Sequence, residues 1–290
     1  MPATAVAISS ESPYTVEAGR QLAEVGGNAV DIAVGAALAA TVSEALMCSL
    51  GGSAFIAIKI PGQAPELIDG ADAMPHIPEA DLNSEDKAWA TADIPYGDGI
   101  SVTVGHASGA GPGGLRALEL AWQRHGSLPW EEIVQPAIDL ARSGTTANQT
   151  LVKWLGMAGR AVFYQHPESR ATFFPDGETP LQDDEFYKPP HLDASLELVA
   201  REGADALYRG DLGAAFEREI HGNGGYVTRD DLADYRALVR RPLTLESHGF
   251  SLALNPPPSI GGAMTGSMVQ LFDSQWHAQM LSLIHISEPT

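Results

Sequence analysis

A run of small apolar residues dominates the first part of the chain. Residues 26–40 read GGNAVDIAVGAALAA, and Asp31 is the one charged residue there. Apolar side chains recur at an i, i+4 spacing, flanked by Ala and Gly, at Val30, Val34, Leu38 and Val42. This pattern predicts a helix that is buried on nearly all sides and that other elements approach closely. Asn28 is placed to cap its first turn, where the helix dipole favours Asp31.

Shorter patterns predict strands early in the chain and mostly helices after residue 115. Runs of branched and alternating apolar residues predict strands at 5–9, 51–60, 65–70, 100–104 and 248–254. Helical periodicity bounded by Gly and Pro predicts helices at 13–25, 115–125, 130–142, 147–163, 192–202, 211–222, 229–234 and from Ala263 onward. Residues 73–99 are rich in Pro, Asp and Ala, which indicates a loop with some helix.

The composition is that of a globular protein with an acidic surface. The 290 residues are 44% hydrophobic, and 37 acidic side chains against 17 basic ones give a formal net charge of −20. Lys and Arg form no cluster, so a nucleic-acid backbone or an anionic membrane surface would be repelled. We therefore expect no nucleic-acid partner and no membrane partner. The one cysteine, Cys48, excludes an internal disulfide, and its apolar neighbours predict an inert thiol.

The chain as given shows no sign of export or membrane insertion. Its N-terminal residues lack the basic and apolar regions of a secretory signal. The longest uncharged run, Ile32–Ser43, is shorter than the roughly 20 residues that span a bilayer. The chain as it stands therefore reads as cytoplasmic.

One glycine motif invites a nucleotide-binding interpretation. The segment GAGPGG at 109–114 fits G-x-G-x-x-G, follows a predicted strand and precedes a helix. A dinucleotide site would next require a second strand that ends in an acidic residue, but Asp139 lies inside another predicted helix. We therefore interpret the motif as a tight turn before a helix and expect no cofactor.

Metal-ligand and nucleophile patterns are equally weak. The nine histidines include no i, i+4 pair and no H-E-x-x-H motif, so we expect no metal site. The carboxylate-rich segments QDDEF (182–186) and TRDDLADY (228–235) are candidates for cation binding or acid-base chemistry. Helix capping by Thr228 accounts for the second, with Asp230 and Asp231 favoured by the helix dipole. No G-x-S-x-G elbow occurs, and Ser53 and Ser108 lie beside glycines without a recognisable motif.

Six segments in order resemble one family. They are SSESPYTVEAGRQLAEVGGNAVDIAVGAALAATVSE, CSLGGSAFIAIK, HGSLPWEEIVQPAIDLARSG, EGADALYRGDLG, NGGYVTRDDLADYRALVRRPL and NPPPSIGGA. Over residues 5–273 the chain resembles the larger subunit of the γ-glutamyltransferase (γ-glutamyltranspeptidase, glutathione hydrolase) family.

The resemblance implies an N-terminal-nucleophile hydrolase. The implied fold class is α+β, here an incomplete αββα sandwich that is helix-rich after residue 115. In this family a precursor cleaves itself before a threonine, whose freed amine and hydroxyl serve as base and nucleophile. The acyl group of a γ-glutamyl compound moves to that threonine and then to water or an amino acid. The partners implied are a small γ-glutamyl or related amide and a smaller subunit; relatives are often periplasmic or extracellular.

Two departures from the family pattern concern the site itself. The family's catalytic threonine lies beyond the PPPS-GG region, and no residue of this sequence matches it, so we assign no catalytic residue. Thr145-Thr146 lacks the histidine that follows in the family and aligns with a non-catalytic segment. Ala71, followed by Asp72, stands where the family carries the arginine that binds the substrate's α-carboxylate. Losing that charged hydrogen bond would weaken γ-glutamyl binding roughly ten- to a hundredfold and favour another amide, as in acylase-like relatives.

These observations predict one truncated domain and leave alternatives for function. We expect residues 1–273 to form a truncated larger-subunit-like domain and residues 274–290 to be a divergent tail, for which an artefact is favoured over a natural divergent end. The main hypothesis is a large-subunit fragment of a γ-glutamyltransferase-like enzyme that is inactive alone. The alternatives are a non-catalytic binding subunit that pairs with a separately encoded smaller subunit, and an acylase of different substrate preference.

Overall fold

The computed structural model describes residues 5–82, 90–164 and 166–273. The chain divides into two compact units. Unit 1 comprises Met1–Ala54 and Gly70–Arg236, and unit 2 comprises Phe55–Asp69 and Ala237–Thr290. The predicted tail, 274–290, lies outside the described residues. Helices combine with small antiparallel sheets, so the α+β class is confirmed, as is the abundance of helix after residue 115.

Unit 1 contains most of the helices. They are α1 (Pro13–Glu24), α2 (Ala29–Ser43), α3 (Glu79–Leu82), α4 (Gly114–His125), α5 (Trp130–Ser143), α6 (Gln149–Trp154), α7 (Arg160–Val162), α8 (Pro167–Phe173), α9 (Leu192–Glu202), α10 (Asp205–Tyr208), α11 (Asp211–Gly222) and α12 (Arg229–Asp234). Two antiparallel strand pairs accompany them: β3 (Ala90–Ile94) with β4 (Ile100–Val104), and β5 (Thr145–Thr146) with β6 (Phe186–Tyr187).

Helix α2 is the centre of unit 1, as its composition predicts. Eleven of its fifteen residues are buried, and α1, α4 and α5 pack around it. Gly35 permits the closest approach, since a Cβ there would lie 2.1 Å from Leu22 Cδ1 and 2.9 Å from the Ile133 carbonyl oxygen. The predicted cap is also confirmed: the Asn28 side chain accepts from the Val30 and Asp31 amides, and the Asp31 carboxylate accepts from the Asn28 amide.

Unit 2 is built on a three-stranded sheet. The bounds of its elements are β1 (Ala54–Ile58), β2 (Glu66–Gly70), β7 (Leu238–Arg240), β8 (Leu243–Ser247), β9 (Phe250–Leu254) and α13 (Ile260–Asp273). The sheet order is β1-β2-β7, and β8 and β9 form a separate hairpin. The predicted neighbours β1 and β2 are thus confirmed.

Several element predictions were wrong. Residues 5–10 form no strand; no strand of the described residues pairs with them, and Ile8 instead packs against Gly19 of α1. The segment 73–99 includes strand β3, whose pairing with β4 gives it order that its own composition does not indicate. The predicted helix 147–163 is interrupted by a π-helical turn at Leu155–Gly159. Helices α8 and α10 and strands β7 and β8 were not predicted.

Candidate substrate-binding site

Glycine packing fixes the backbone around Ala71 in unit 1. A Cβ on Gly113 would lie 2.0 Å from the Tyr235 hydroxyl oxygen and 2.4 Å from the Gly70 carbonyl oxygen. A Cβ on Gly70 would lie 2.5 Å from the Ala117 Cβ. These distances are far below van der Waals contact, so only glycine fits at both positions. The start of α4 therefore lies directly against the Gly70–Ala71 backbone.

The GAGPGG segment completes this packing. Ala73 and Gly111 exchange two backbone hydrogen bonds, with N···O distances of 2.9 and 2.7 Å. The amides of Gly113 and Gly114 both donate to the Gly52 carbonyl oxygen, at 3.2 and 2.8 Å. The preceding strand β4 pairs antiparallel with β3 rather than entering a parallel βαβ unit. This geometry agrees with the interpretation of the glycines as tight-turn residues rather than a dinucleotide motif.

Two tyrosines hold this arrangement from the side of α10 and α12. The Tyr235 hydroxyl donates to the Ala71 carbonyl oxygen at 2.6 Å, and its ring stacks on Tyr208 at 5.7 Å between centroids. The Tyr208 hydroxyl donates to the Pro112 carbonyl oxygen at 2.9 Å and accepts from the Arg116 amide at 3.2 Å. Burial raises the pKa of Tyr208 well above its usual range, so it stays a neutral donor. Position 71 therefore sits on a rigid support.

A cavity of about 350 Å³ lies beside this support. Its apolar wall comes from Leu46, Met47, Leu50, Leu115 and Leu118, and its polar groups come from Thr41, Cys48, Ser49, Ser53 and Asp72. Among the described residues that line it, Asp72 carries the only charged side chain. Desolvation raises the pKa of the Asp72 carboxyl. The residues Cys48, Ser53 and Asp72, which the sequence presents singly, thus share one cavity.

The surroundings of Cys48 disfavour its thiolate form. Burial is the main reason that the pKa of its thiol is raised, and the charges of Glu44 and Glu11 add to the effect. A raised pKa leaves less thiolate at neutral pH. The expectation of an inert thiol is consistent with this environment.

The Thr145-Thr146 pair lies in a structural position. It forms strand β5 against Phe186–Tyr187, and Thr145 is buried. Its Oγ1 has no hydrogen-bond partner among the described residues, while Thr146 Oγ1 lies 3.2 Å from the Tyr14 hydroxyl. Among the residues that the structure describes, no histidine, carboxylate or amine hydrogen-bonds to either hydroxyl, so no base there activates a nucleophile at this pair.

The two carboxylate-rich segments also serve local structure. In TRDDLADY, the Asp231 carboxylate accepts from the Thr228 amide at 2.9 Å and from the His76 amide at 3.2 Å. Burial acts to raise the pKa of Asp231, but hydrogen bonds from Thr228 and His76 outweigh it and lower that pKa. In QDDEF, Glu185 accepts from the Gln182 amide at 2.8 Å. The capping interpretation of Thr228 is confirmed by a complete capping box.

Two histidines that are distant in sequence meet at one carboxylate. Glu219 Oε1 lies 3.1 Å from His166 Nε2 and 3.8 Å from His106 Nε2. No spacing motif signals this contact, because the residues come from three separate elements. Within 5–82, 90–164 and 166–273, no group of three or more His, Cys, Asp or Glu side chains has the geometry of a metal site. Over the same residues, no helix is both long and apolar enough to cross a bilayer.

The fold is an α+β scaffold in which the backbone at Gly70 and Ala71, packed against Gly113, lies beside a cavity of about 350 Å³. The family profile described as gamma-glutamyltranspeptidase matches residues 15–285. The chain belongs to this gamma-glutamyltranspeptidase family. It is 31% identical over 255 residues to a glutathione hydrolase proenzyme of Escherichia coli, covering 88% of this chain and 43% of the relative. It is also 31% identical over 268 residues to an acylase ACY 1 proenzyme of Pseudomonas, covering 92% and 47%.

Solved structures support the same assignment. The crystal structure of Helicobacter pylori gamma-glutamyltranspeptidase matches with a TM-score of 0.76 and 26% identity, covering 91% of this chain and 74% of that one. A cephalosporin acylase from Bacillus halodurans matches with a TM-score of 0.69 and 27% identity, covering 84% and 45%. The chain spans less than half the length of these two curated relatives, the E. coli and Pseudomonas proenzymes.

Proposed function

We propose that this chain is the larger-subunit portion of an enzyme that hydrolyses or transfers γ-glutamyl or related acyl groups of amides. The observation that carries the proposal is the family match over residues 15–285, together with relatives of which this chain covers less than half. Those relatives bear the names glutathione hydrolase and acylase, and both are proenzymes. This role fits a chain that supplies part of the active site, with the nucleophile in a part of the enzyme that this sequence does not include.

The chemistry of the described residues supports this division of labour. Cys48 has a raised pKa, and Thr145 is buried without a hydrogen-bonding base. A hydroxyl or thiol needs an adjacent base or a lowered pKa to attack an amide at neutral pH. The family resemblance implies a catalytic threonine that no residue of this sequence matches, so we infer that the nucleophile lies outside these 290 residues and expect the 290-residue chain alone to be inactive.

A partner surface is the second part of the proposal. In unit 2, hairpin β8–β9 and helix α13 expose large apolar side chains, and the most exposed are Ile260 (73%), Phe250 (72%) and Phe272 (61%). Exposed apolar groups so concentrated are typical of an interface. We infer that the smaller subunit of the same enzyme covers them.

The substrate preference has a second candidate. Ala71 provides no cation, and the adjacent side chain is the carboxylate of Asp72, so an α-carboxylate finds no attractive charge on this segment. An acylase that takes an uncharged or differently charged acyl group fits this segment better than a strict glutathione hydrolase does. The similarity to acylase ACY 1 agrees with that alternative.

The test compares the 290-residue chain with the product of the complete reading frame. Hydrolysis of γ-glutamyl-p-nitroanilide and of the uncharged n-valeryl-p-nitroanilide is followed by release of p-nitroaniline. We expect turnover by the longer product only, and a faster reaction with the n-valeryl compound would favour an acylase. Turnover by the 290-residue chain alone would contradict the assignment of the nucleophile.

The DNA downstream of the coding sequence distinguishes a truncated single precursor from an enzyme whose two subunits are encoded by separate genes. An in-frame continuation through a Thr-Thr-His-like motif supports a single truncated precursor. A stop codon followed by a separate small-subunit gene supports a two-gene enzyme. If the complete product binds substrate but releases no p-nitroaniline, the chain belongs to a non-catalytic binding protein.

A further inference from the structure

A largely buried arginine joins helix α4 to helix α10. The Arg116 side chain donates from Nη1 to Glu119 Oε2 at 2.7 Å and from Nη2 to Asp205 Oδ1 at 2.6 Å. The Arg116 side chain is 18% exposed and that of Glu119 is 11% exposed. Glu119 in turn accepts from the Ala204 amide at 2.7 Å, one residue before α10 begins. A guanidinium with two carboxylate partners is held in one orientation, because each charge-assisted hydrogen bond restrains its planar fork.

The same arginine holds the aromatic ring of Tyr208, the last residue of α10. Arg116 Cζ lies 4.3 Å from the centroid of that ring. The Arg116 amide donates to the Tyr208 hydroxyl at 3.2 Å, and this hydroxyl donates to the Pro112 carbonyl oxygen at 2.9 Å. Tyr208 is fully buried. A buried ring with a cation over its face and two hydrogen bonds at its hydroxyl is fixed in place.

Tyr208 contacts a second tyrosine, which bonds to the backbone at position 71. The rings of Tyr208 and Tyr235 stack with centroids 5.7 Å apart and an angle of 22° between their planes. The Tyr235 hydroxyl donates to the Ala71 carbonyl oxygen at 2.6 Å. This hydroxyl also lies so close to Gly113 that a Cβ there would come within 2.0 Å of it. Because close packing leaves no free volume here, a displaced Tyr208 ring displaces Tyr235 and the Ala71 carbonyl with it.

We infer that Arg116 is a positioning residue for the backbone at position 71 and acts through the two tyrosine rings. The contact path runs from Arg116 through Tyr208 and Tyr235 to the Ala71 carbonyl oxygen, and all four residues belong to unit 1. The effect of this path on a substrate rests on the proposed function, because that function makes position 71 part of a substrate site. The positioning itself requires no nucleophile and no partner subunit.

The first experiment measures amide hydrogen exchange in the 290-residue chain by NMR. The readout is the pair of backbone hydrogen bonds between Ala73 and Gly111, next to position 71 in the same loop. Arg116→Gln removes the charge and should raise exchange of these two amides about fivefold or more, which is within the range for a substitution along a coupled network. The amides of α2 should stay within about twofold of the wild type, because their exchange reports opening of the whole unit.

Two results would contradict the inference. One is unchanged exchange at Ala73 and Gly111 in Arg116→Gln, and the other is an equal rise throughout α2, which would show general destabilisation. Arg116→Lys keeps a positive charge beside both carboxylates but lacks the planar fork, so it should give a smaller rise at the same amides. This milder variant provides the same comparison if Arg116→Gln does not fold.

Matched variants separate the contact path from the loss of an ion pair. Arg142→Gln makes the same change on an exposed arginine that pairs with Glu197 at 2.7 Å, and exchange at Ala73 should stay within about twofold of the wild type. Tyr235→Phe removes only the hydroxyl at the far end of the path and should raise exchange at Ala73 as Arg116→Gln does. Along one path, the double variant should exceed the stronger single variant by less than about twofold. Effects that multiply would show that Arg116 and Tyr235 act independently and would overturn the inference.

Kinetics of the complete product extend the test to the substrate. Arg116→Gln and Tyr235→Phe should each raise the KM for the better p-nitroanilide substrate about fivefold and leave kcat within about twofold, because a misplaced binding loop weakens ground state and transition state alike. A merely structural role would instead lower the apparent kcat through a smaller active fraction at unchanged KM, and that result would overturn the role of Arg116 in positioning the substrate site. Absence of turnover by the unsubstituted complete product would refute only the proposed function, since hydrogen exchange in the 290-residue chain tests the positioning by itself.

Discussion

The Arg240 guanidinium meets a buried carboxylate, with Nε 2.6 Å from Oδ2 of Asp69. The two residues lie on the paired strands β7 and β2, and Asp69 is only 4% exposed. A second nitrogen of Arg240, Nη1, donates to the Pro257 carbonyl oxygen at 3.3 Å. Arg240 therefore joins three segments of unit 2 that are separate in the sequence.

Removing this arginine should destabilise unit 2. Arg240→Leu leaves the Asp69 carboxylate buried without its cation, and such a loss costs about 3 kcal/mol when one partner of the pair is partly exposed. We expect a clearly lower Tm by circular dichroism. Arg241→Leu changes the exposed neighbour and should alter the Tm little. Similar Tm values for the two variants would show that the pair contributes no stability.

The glycine contact below Ala71 makes a second prediction. Gly113→Ala places a methyl group 2.0 Å from the Tyr235 hydroxyl oxygen, so the backbone or the tyrosine must move. We expect a loss of about 2 kcal/mol or more, which is typical of overpacking at a rigid site. The control is Gly222→Ala at the end of α11, where an added Cβ meets nothing within 4 Å. A chemical-denaturation midpoint for Gly113→Ala equal to that of the control would refute the packing argument.

Asp31 supplies a third prediction. It is fully buried, and its carboxylate accepts from the Ser127 amide at 2.9 Å and from the Asn28 amide at 2.9 Å. Asp31→Ala leaves these donors unsatisfied, which should lower the free energy of unfolding by about 2–4 kcal/mol. Urea denaturation measures the change. Asp139→Ala, on the exposed face of α5, should cost less than about 1 kcal/mol, and a comparable loss there would contradict a specific role for Asp31.

The environment of Asp72 predicts a pH dependence of stability. Its pKa is raised in the folded state, so the ionised carboxylate opposes folding at neutral and higher pH and ceases to do so once it is protonated. Asp72→Asn should therefore raise the Tm relative to the wild type at about pH 8, with a difference that shrinks toward about pH 4. Differential scanning calorimetry across that range tests it. A difference that grows on acidification would show the opposite shift.

Local signals allowed much of the helical structure to be predicted. The capping residues Asn28 and Thr228 mark helix starts in the sequence, and both caps form as expected. Such caps involve residues two or three positions apart, so their energetics are contained in the sequence window itself. Glycines that end helices and the small apolar residues of α2 are also local features, so the sequence indicated where helices stop and that α2 is buried.

The site could not be predicted in this way. Ser53 and Asp72 line one cavity only because α4 packs against the Gly70–Ala71 backbone, and strand β3 exists only because β4 pairs with it. The sequence by itself determined the capped helix starts at Asn28 and Thr228, the buried central helix and the family, since these depend on local periodicity and ordered motifs. The tertiary structure alone decided which polar groups meet, because their contacts join residues that are distant along the chain and depend on the packing of the whole unit.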